Sequence, residues 1–175
     1  MSSLLDSQAE PTKRDLGFLP PILIGLLVIG LAFLGYREYM VEKPYSSGNI
    51  VKVAVVELPT KDRVLVAVKF HLKNLDTKTQ VVHSVEVRVQ TGGQQYKDFP
   101  SSAFEVPRYL AAYQDLKAAE AQPLAVDSKI APGAEQDAVV AVAFPVTKAN
   151  FDARTSLQLQ VNFREHRSFA MKEQR

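Results

Sequence analysis

Three histidines, His71, His83 and His166, are the first places to look for acid–base or metal chemistry in this 175-residue chain. They stand on separate segments, and no H-x-x-x-H or H-E-x-x-H spacing joins them, so no helix face offers two imidazoles to one metal. His71 falls on the polar side of an alternating run and reads as a solvated residue. The carboxylates Glu57, Asp62, Glu86 and Asp98 are dispersed. A general acid–base pair built only by folding is left open, because the separation that matters is spatial. The absence of cysteine removes thiolate nucleophiles, disulfides, zinc–thiolate sites and iron–sulfur clusters. No G-x-S-x-G elbow presents a serine, and no glycine-rich phosphate loop occurs. The reading is therefore of a protein that is not an enzyme, with no cofactor and no metal. A hydrolase with a carboxylate site formed on folding is the remote alternative.

Residues suited to contact rather than catalysis are easier to find. Asp152 and Arg154 in "FDAR" stand between two strand patterns, where they can pair across a turn or meet a partner at a loop tip. Tyr109 and Tyr113 fall at helical spacing with Leu110 and Leu116, a stripe that suits core packing or a ligand groove. Formal net charge is +2 on 21 basic and 19 acidic residues. That balance, without a basic stripe interleaved with aromatics, argues against a nucleic-acid partner.

The elements that must carry these residues divide sharply. Residues 16–36, "LGFLPPILIGLLVIGLAFLGY", contain no charge. As a helix the run spans about 31 Å, close to a hydrocarbon core of about 30 Å. Pro20 and Pro21 sit near its start, where a missing amide donor costs little. Phe18 lies at one end and Tyr36 and Tyr39 at the other, in the positions of interfacial aromatic belts. A transmembrane helix over 16–41 is expected, its Pro20, Pro21, Tyr36 and Tyr39 forming the anchor and membrane lipid its partner. Two other readings compete. Lys13-Arg14 before the run and Gly30-Leu31-Ala32 within it resemble a cleaved leader, but the apolar stretch outruns the usual h-region of about 7–15 residues. A buried soluble helix would need a polar face that the run lacks. Lys13 and Arg14 balance Arg37 and Lys43 in the flanking-charge count. Orientation therefore rests on the span coming first: N-terminus inside, the following domain outside.

After the anchor the expected layout is a linker at 42–49, a β domain at 50–166 and a tail at 167–175, with a polar lead at 1–15. "VLVAVKFHL" alternates Val64, Val66, Val68, Phe70 and Leu72 against Lys69 and His71, the pattern of a half-buried strand. "SLQLQVNF" and "HSVEVRVQ" alternate likewise, while "IVKVAVVEL" and "DAVVAVAFPV" are richer in apolar residues and suit central strands. Gly92-Gly93 reads as a hairpin turn and Pro132-Gly133 as a type II turn. Six or seven antiparallel strands with one crossover helix beginning near Pro107 make a sandwich.

"VKFHLKN" with Asn74 at its end, "IAPG" with Pro132-Gly133, and "AVVAVAFPV" closed by Phe144-Pro145 resemble the immunoglobulin-like β-sandwich domains of bacterial membrane-tethered proteins, of the DUF4352 and late-embryogenesis-abundant (LEA14/WHy) type. The resemblance covers about residues 50–165. It implies a mostly β, immunoglobulin-like binding or structural module and carries over no catalytic residue. A lipid-anchored relative would need a cysteine that this chain lacks. The functional expectation is a single-pass protein of the bacterial inner membrane, N-terminus cytoplasmic and domain periplasmic or extracellular. It would serve as an interaction or scaffold module in the envelope for a protein partner of unknown identity. The alternative is a carrier of a small apolar ligand held in the sandwich.

Overall fold

The computed structural model describes residues 25–27, 29–32, 44–59, 62–165 and 167–174. The chain divides after Lys43 into two units. In the first, residues 25–27 and 29–32 are helical, and Leu26, Leu27, Ile29 and Leu31 are each at least 60% exposed. Most of the expected span, including Pro20, Pro21, Tyr36 and Tyr39, lies outside the described residues. Among the described residues no helix is long and apolar enough to cross a membrane.

The second unit is a two-sheet sandwich. Its strands are β1 (Ser46–Glu57), β2 (Val64–Asn74), β3 (Gln80–Thr91), β4 (Gln94–Asp98), β5 (Gln122–Pro123), β6 (Lys129–Ile130), β7 (Glu135–Phe144), β8 (Ser156–Phe163) and β9 (Ser168–Lys172). One sheet has the order β1-β2-β7-β5; the other runs β4-β3-β8-β9, with β6 on the edge of β3. Every pairing is antiparallel except β5 with β7. Among the described residues seven strands are of substantial length and two are two-residue bridges, so the expected six or seven counts only the former. The boundaries also differ from expectation. β1 begins at Ser46, inside the expected linker, and β9 pairs residues of the expected tail with β8.

Alternation places Val64, Val66, Val68, Phe70 and Leu72 of β2 in the inter-sheet core with Val87, Val89, Leu157, Leu159 and Val161. Two bulges correct the phase where the sequence alternation falters. Val51 is an extra residue between Ile50↔Phe70 and Lys52↔Lys69. The inward set therefore shifts from Ile50 to Val53 and Val55. His83 does the same in β3, between Val82↔Phe163 and Ser84↔Asn162. The expected turns form. Gly92 and Gly93 take φ of +57° and +75°, the left-handed pair that a tight hairpin requires. Gly133 takes φ +70° while the Ala134 amide bonds the Ala131 carbonyl at 3.1 Å, as in a type II turn.

A second core lies on the outer face of the first sheet. Ala54, Leu65, Ala67, Val139 and Ala141 meet Val106, Leu110, Leu116 and Ala119 there. Both faces are therefore covered over residues 64–68 of β2 and 138–142 of β7, which accounts for the apolar richness of β7. β1, also apolar-rich, is an edge strand and not a central one; its Ala54 and Val56 still meet this second core. The expected single helix is two pieces, α1 (Val106–Ala112) and a 3₁₀ helix Gln114–Ala119, separated by an extended Tyr113 with φ −119° and ψ 108°. At about 100° per residue, an unbroken helix burying Val106 and Leu110 would next turn Tyr113 and Lys117 inward. The break resets the phase so that Leu116 and Ala119 are buried instead.

Candidate functional site

A cleft of about 440 Å³ opens between the sheets on the β3–β7 side. It exists because the short strands cover their neighbours incompletely. β6 pairs with Gln80 and Val81, and the Val82 backbone exchanges hydrogen bonds with Asp127 and Ser128 at 2.8 and 3.0 Å. β4 takes up pairing only at Val87. Ser84 and Val85 lie between these stretches and line the cleft together with Val140 of β7. One wall is the segment Phe99–Ala103, tied to β7 by the Ser101 amide on the Ala141 carbonyl at 2.8 Å. The other is Leu124–Val126, held by the Leu124 amide on the Val139 carbonyl at 3.1 Å.

The floor is apolar. Val85, Leu124 and Val140 belong to the inter-sheet core. The rim carries Phe99 and Val126, 58% and 63% exposed. Ser84, Ser101 and Ser102 are the polar residues of the lining, and none of its described residues is charged; the Ser84 hydroxyl itself is engaged on the outer face of the sheet, where it accepts from Asn162 Nδ2 at 2.9 Å. A buried carboxylate holds the cation nearest the Phe99 edge. Glu86 binds both Arg88 and Lys97, the latter at 2.6 Å, and the Lys97 ammonium lies 5.8 Å from the Phe99 ring centre. Burial pushes the Glu86 carboxyl up, but the two cations outweigh it and hold the group below the usual glutamate range.

A second polar constellation lies on the outer face of the first sheet. His71 stands directly opposite Asp137 in the β2–β7 register. Its Nδ1 is 2.9 Å from Asp137 Oδ1 and its Nε2 is 3.5 Å from Glu135 Oε2. Lys69 and Lys73 complete a cross-strand ladder with the same two carboxylates, at 3.7 and 3.4 Å. The hydrogen bond from His71 leads the effects on Asp137, and with Lys69 it holds that carboxyl below the usual value against a smaller opposing effect of burial. This is alternating charge on a half-exposed strand pair. Among the described residues no group of three or more histidines and carboxylates is arranged to hold a metal ion.

The residues singled out in the sequence are scattered over the domain. Tyr109 and Tyr113 pack half-buried against the second core and do not line the cleft. Asp152 ends α2 (Lys148–Asp152) and takes the Lys148 ammonium at 2.7 Å. Arg154 is buried, away from the exposed loop tip where its sequence position suggested it. Its guanidinium grips both oxygens of Glu173 at 2.9 and 2.6 Å, donates to the Phe151 carbonyl at 3.0 Å and lies 4.3 Å from the Phe151 ring centre. His83 is exposed at its bulge, and His166 lies outside the described residues. The cleft residues escape sequence reading because they come from four separated segments. The one local hint is "DFPSSAF", an apolar–polar stretch outside any periodic pattern.

No protein-family profile and no curated protein matches the chain. Among solved structures, the chain is similar to the Northeast Structural Genomics Consortium target SoR45, with a TM-score of 0.41 and 8% identity over 74% of this chain and 83% of that one. It is similar also to a conserved hypothetical protein from Bacillus anthracis, with a TM-score of 0.39 and 11% identity over 74% of this chain and 89% of that one. Likenesses at these scores carry no argument about what this chain binds or does.

Proposed function

We propose that this chain is a non-catalytic interaction or scaffold module, tethered in a bacterial inner membrane by one N-terminal helix. On this reading the sandwich is immunoglobulin-like, of the DUF4352 or LEA14/WHy type. The N-terminus is cytoplasmic, the domain is periplasmic or extracellular, and a protein partner docks on it. The observation that carries the reading is the uncharged run 16–36, in whose helical described part Leu26, Leu27, Ile29 and Leu31 are exposed. Leucine and isoleucine side chains each lose about 1.5–3 kcal/mol when left in water instead of buried, and lipid is the natural cover for a run of this length.

The test uses the full chain in cells. Carbonate extraction should leave it in the membrane fraction. Protease should digest the domain in cells with a permeabilised outer membrane and spare it in inverted inner-membrane vesicles. Release by carbonate overturns the anchor. The reverse protection pattern overturns the orientation.

A further inference from the structure

We infer that the cleft between β3 and β7 is a binding site for a small, uncharged, largely apolar molecule carrying one hydrogen-bonding group, such as a medium-chain alcohol. The inference does not depend on the anchor or its orientation.

Four observations carry it. First, the volume of about 440 Å³ lies within the range of about 300–1,000 Å³ usual for small-molecule sites. Second, the floor is continuous with the inter-sheet core through Val85, Leu124 and Val140, so an apolar occupant extends a core that already excludes water. Third, the rim residues Phe99 and Val126 are more than half exposed, and an occupant would remove their surface from water at about 25 cal/mol per Å². Fourth, the described lining includes Ser101 and Ser102 in its wall and no charged residue. A ligand charge brought there would lose its hydration without gaining a counter-ion, whereas a hydroxyl or carbonyl would find Ser101 or Ser102. An extended peptide is the less favoured occupant, because His83 to Glu86 is the whole uncovered stretch of the β3 edge between Val82 and Val87, too short for strand addition to dominate.

The experiment is photolabelling of the full chain in phosphatidylcholine nanodiscs. The probe is a ten-carbon alcohol bearing a diazirine; a second probe has the same chain ending in carboxylate. Insertion sites are mapped by peptide mass spectrometry. Labelling by the alcohol should saturate, fall on peptides covering 99–103 and 124–126, and be displaced by excess decanol. The carboxylate should label those peptides about tenfold less, a difference of about 1.4 kcal/mol. Ala125→Trp, which fills the cleft from a half-buried wall position, should reduce alcohol labelling to a similar degree. Should that variant fail to fold, Val126→Arg at the exposed rim serves instead. Labelling that does not saturate, that spreads evenly over the domain, that is equal for both probes, or that survives the folded variant overturns the inference.

Discussion

Asn74 ties together the two turns at one end of the sandwich. Its side chain is fully buried. The amide donates to the carbonyls of Lys78 and Ile130, both at 2.9 Å, and its oxygen accepts from the Asp76 amide at 2.8 Å. Its backbone carbonyl accepts from Gly133 at 3.0 Å, so the β2–β3 turn and the Pro132-Gly133 turn meet in space at one residue. Asn74→Ala would leave the Ile130 carbonyl buried without this donor, at a cost of about 1–3 kcal/mol. Urea unfolding should show a lower midpoint with an unchanged slope; a loss within about 0.5 kcal/mol, the range of ordinary surface substitutions, would contradict this role. Gly48 is specific for a steric reason. A Cβ there would run into the His71 carbonyl oxygen, and Met171 Sδ would lie 3.1 Å away. Gly48→Ala should therefore destabilise by about 1–3 kcal/mol through overpacking, although its place in "SSGN" reads as a flexible joint.

Among the elements, β9 shows most clearly what the sequence did not disclose. "SFAMK" is short, and only Met171 is fully buried. Its inclusion in the sheet is supported from outside the strand by Arg154, whose guanidinium holds Glu173 just past its end, and by the Glu173 amide on the Leu157 carbonyl at 2.9 Å. Glu173→Ala should cost about 1.5–3 kcal/mol, the range for hydrogen bonds to charged groups. It should raise amide exchange in β9 while leaving β2 and β7 protected; uniform change across the sheets would assign the pair a global role instead. The alternation of β8 and of residues 68–74 of β2 was legible because one face meets the core and the other meets water or charge. The bulges at Val51 and His83 were not, because a bulge is set by cross-strand fit that no single segment encodes. The break at Tyr113 was hidden for a similar reason: local propensity favours an unbroken helix, and only the outer face of the sheet demands the new phase. The cleft was least legible, since it is a gap left by the short lengths of β4, β5 and β6.

At the scale of the whole molecule, three carboxyls titrating below their usual values link folding to acid. Glu86 lies on the outer face of one sheet, Asp137 on the outer face of the other, and Asp76 in the β2–β3 turn. At Asp76 burial pushes the carboxyl up, but the amides of Thr77 and Lys78 and the Arg167 guanidinium more than reverse it. Each group is more acidic folded than unfolded, so the unfolded chain binds more protons as pH falls. The stability they contribute is fully present above the unfolded carboxylate range, about pH 4–4.5, and is lost as pH drops through the lower folded values. Urea midpoints of the full chain should therefore be flat from neutral pH down to about 5 and fall steeply below about 4; urea, being uncharged, leaves the ion pairs unscreened. Glu86 allows the linkage to be assigned to a site, because it alone of the three is buried with two cations around it. Glu86→Gln removes the titrating proton but keeps the shape, so its curve should lie below that of the unaltered protein at pH 7 and converge with it in acid. Curves that stay parallel across the range would mean that Glu86 holds Arg88 and Lys97 without contributing to the acid response, which would then rest on Asp76 and Asp137.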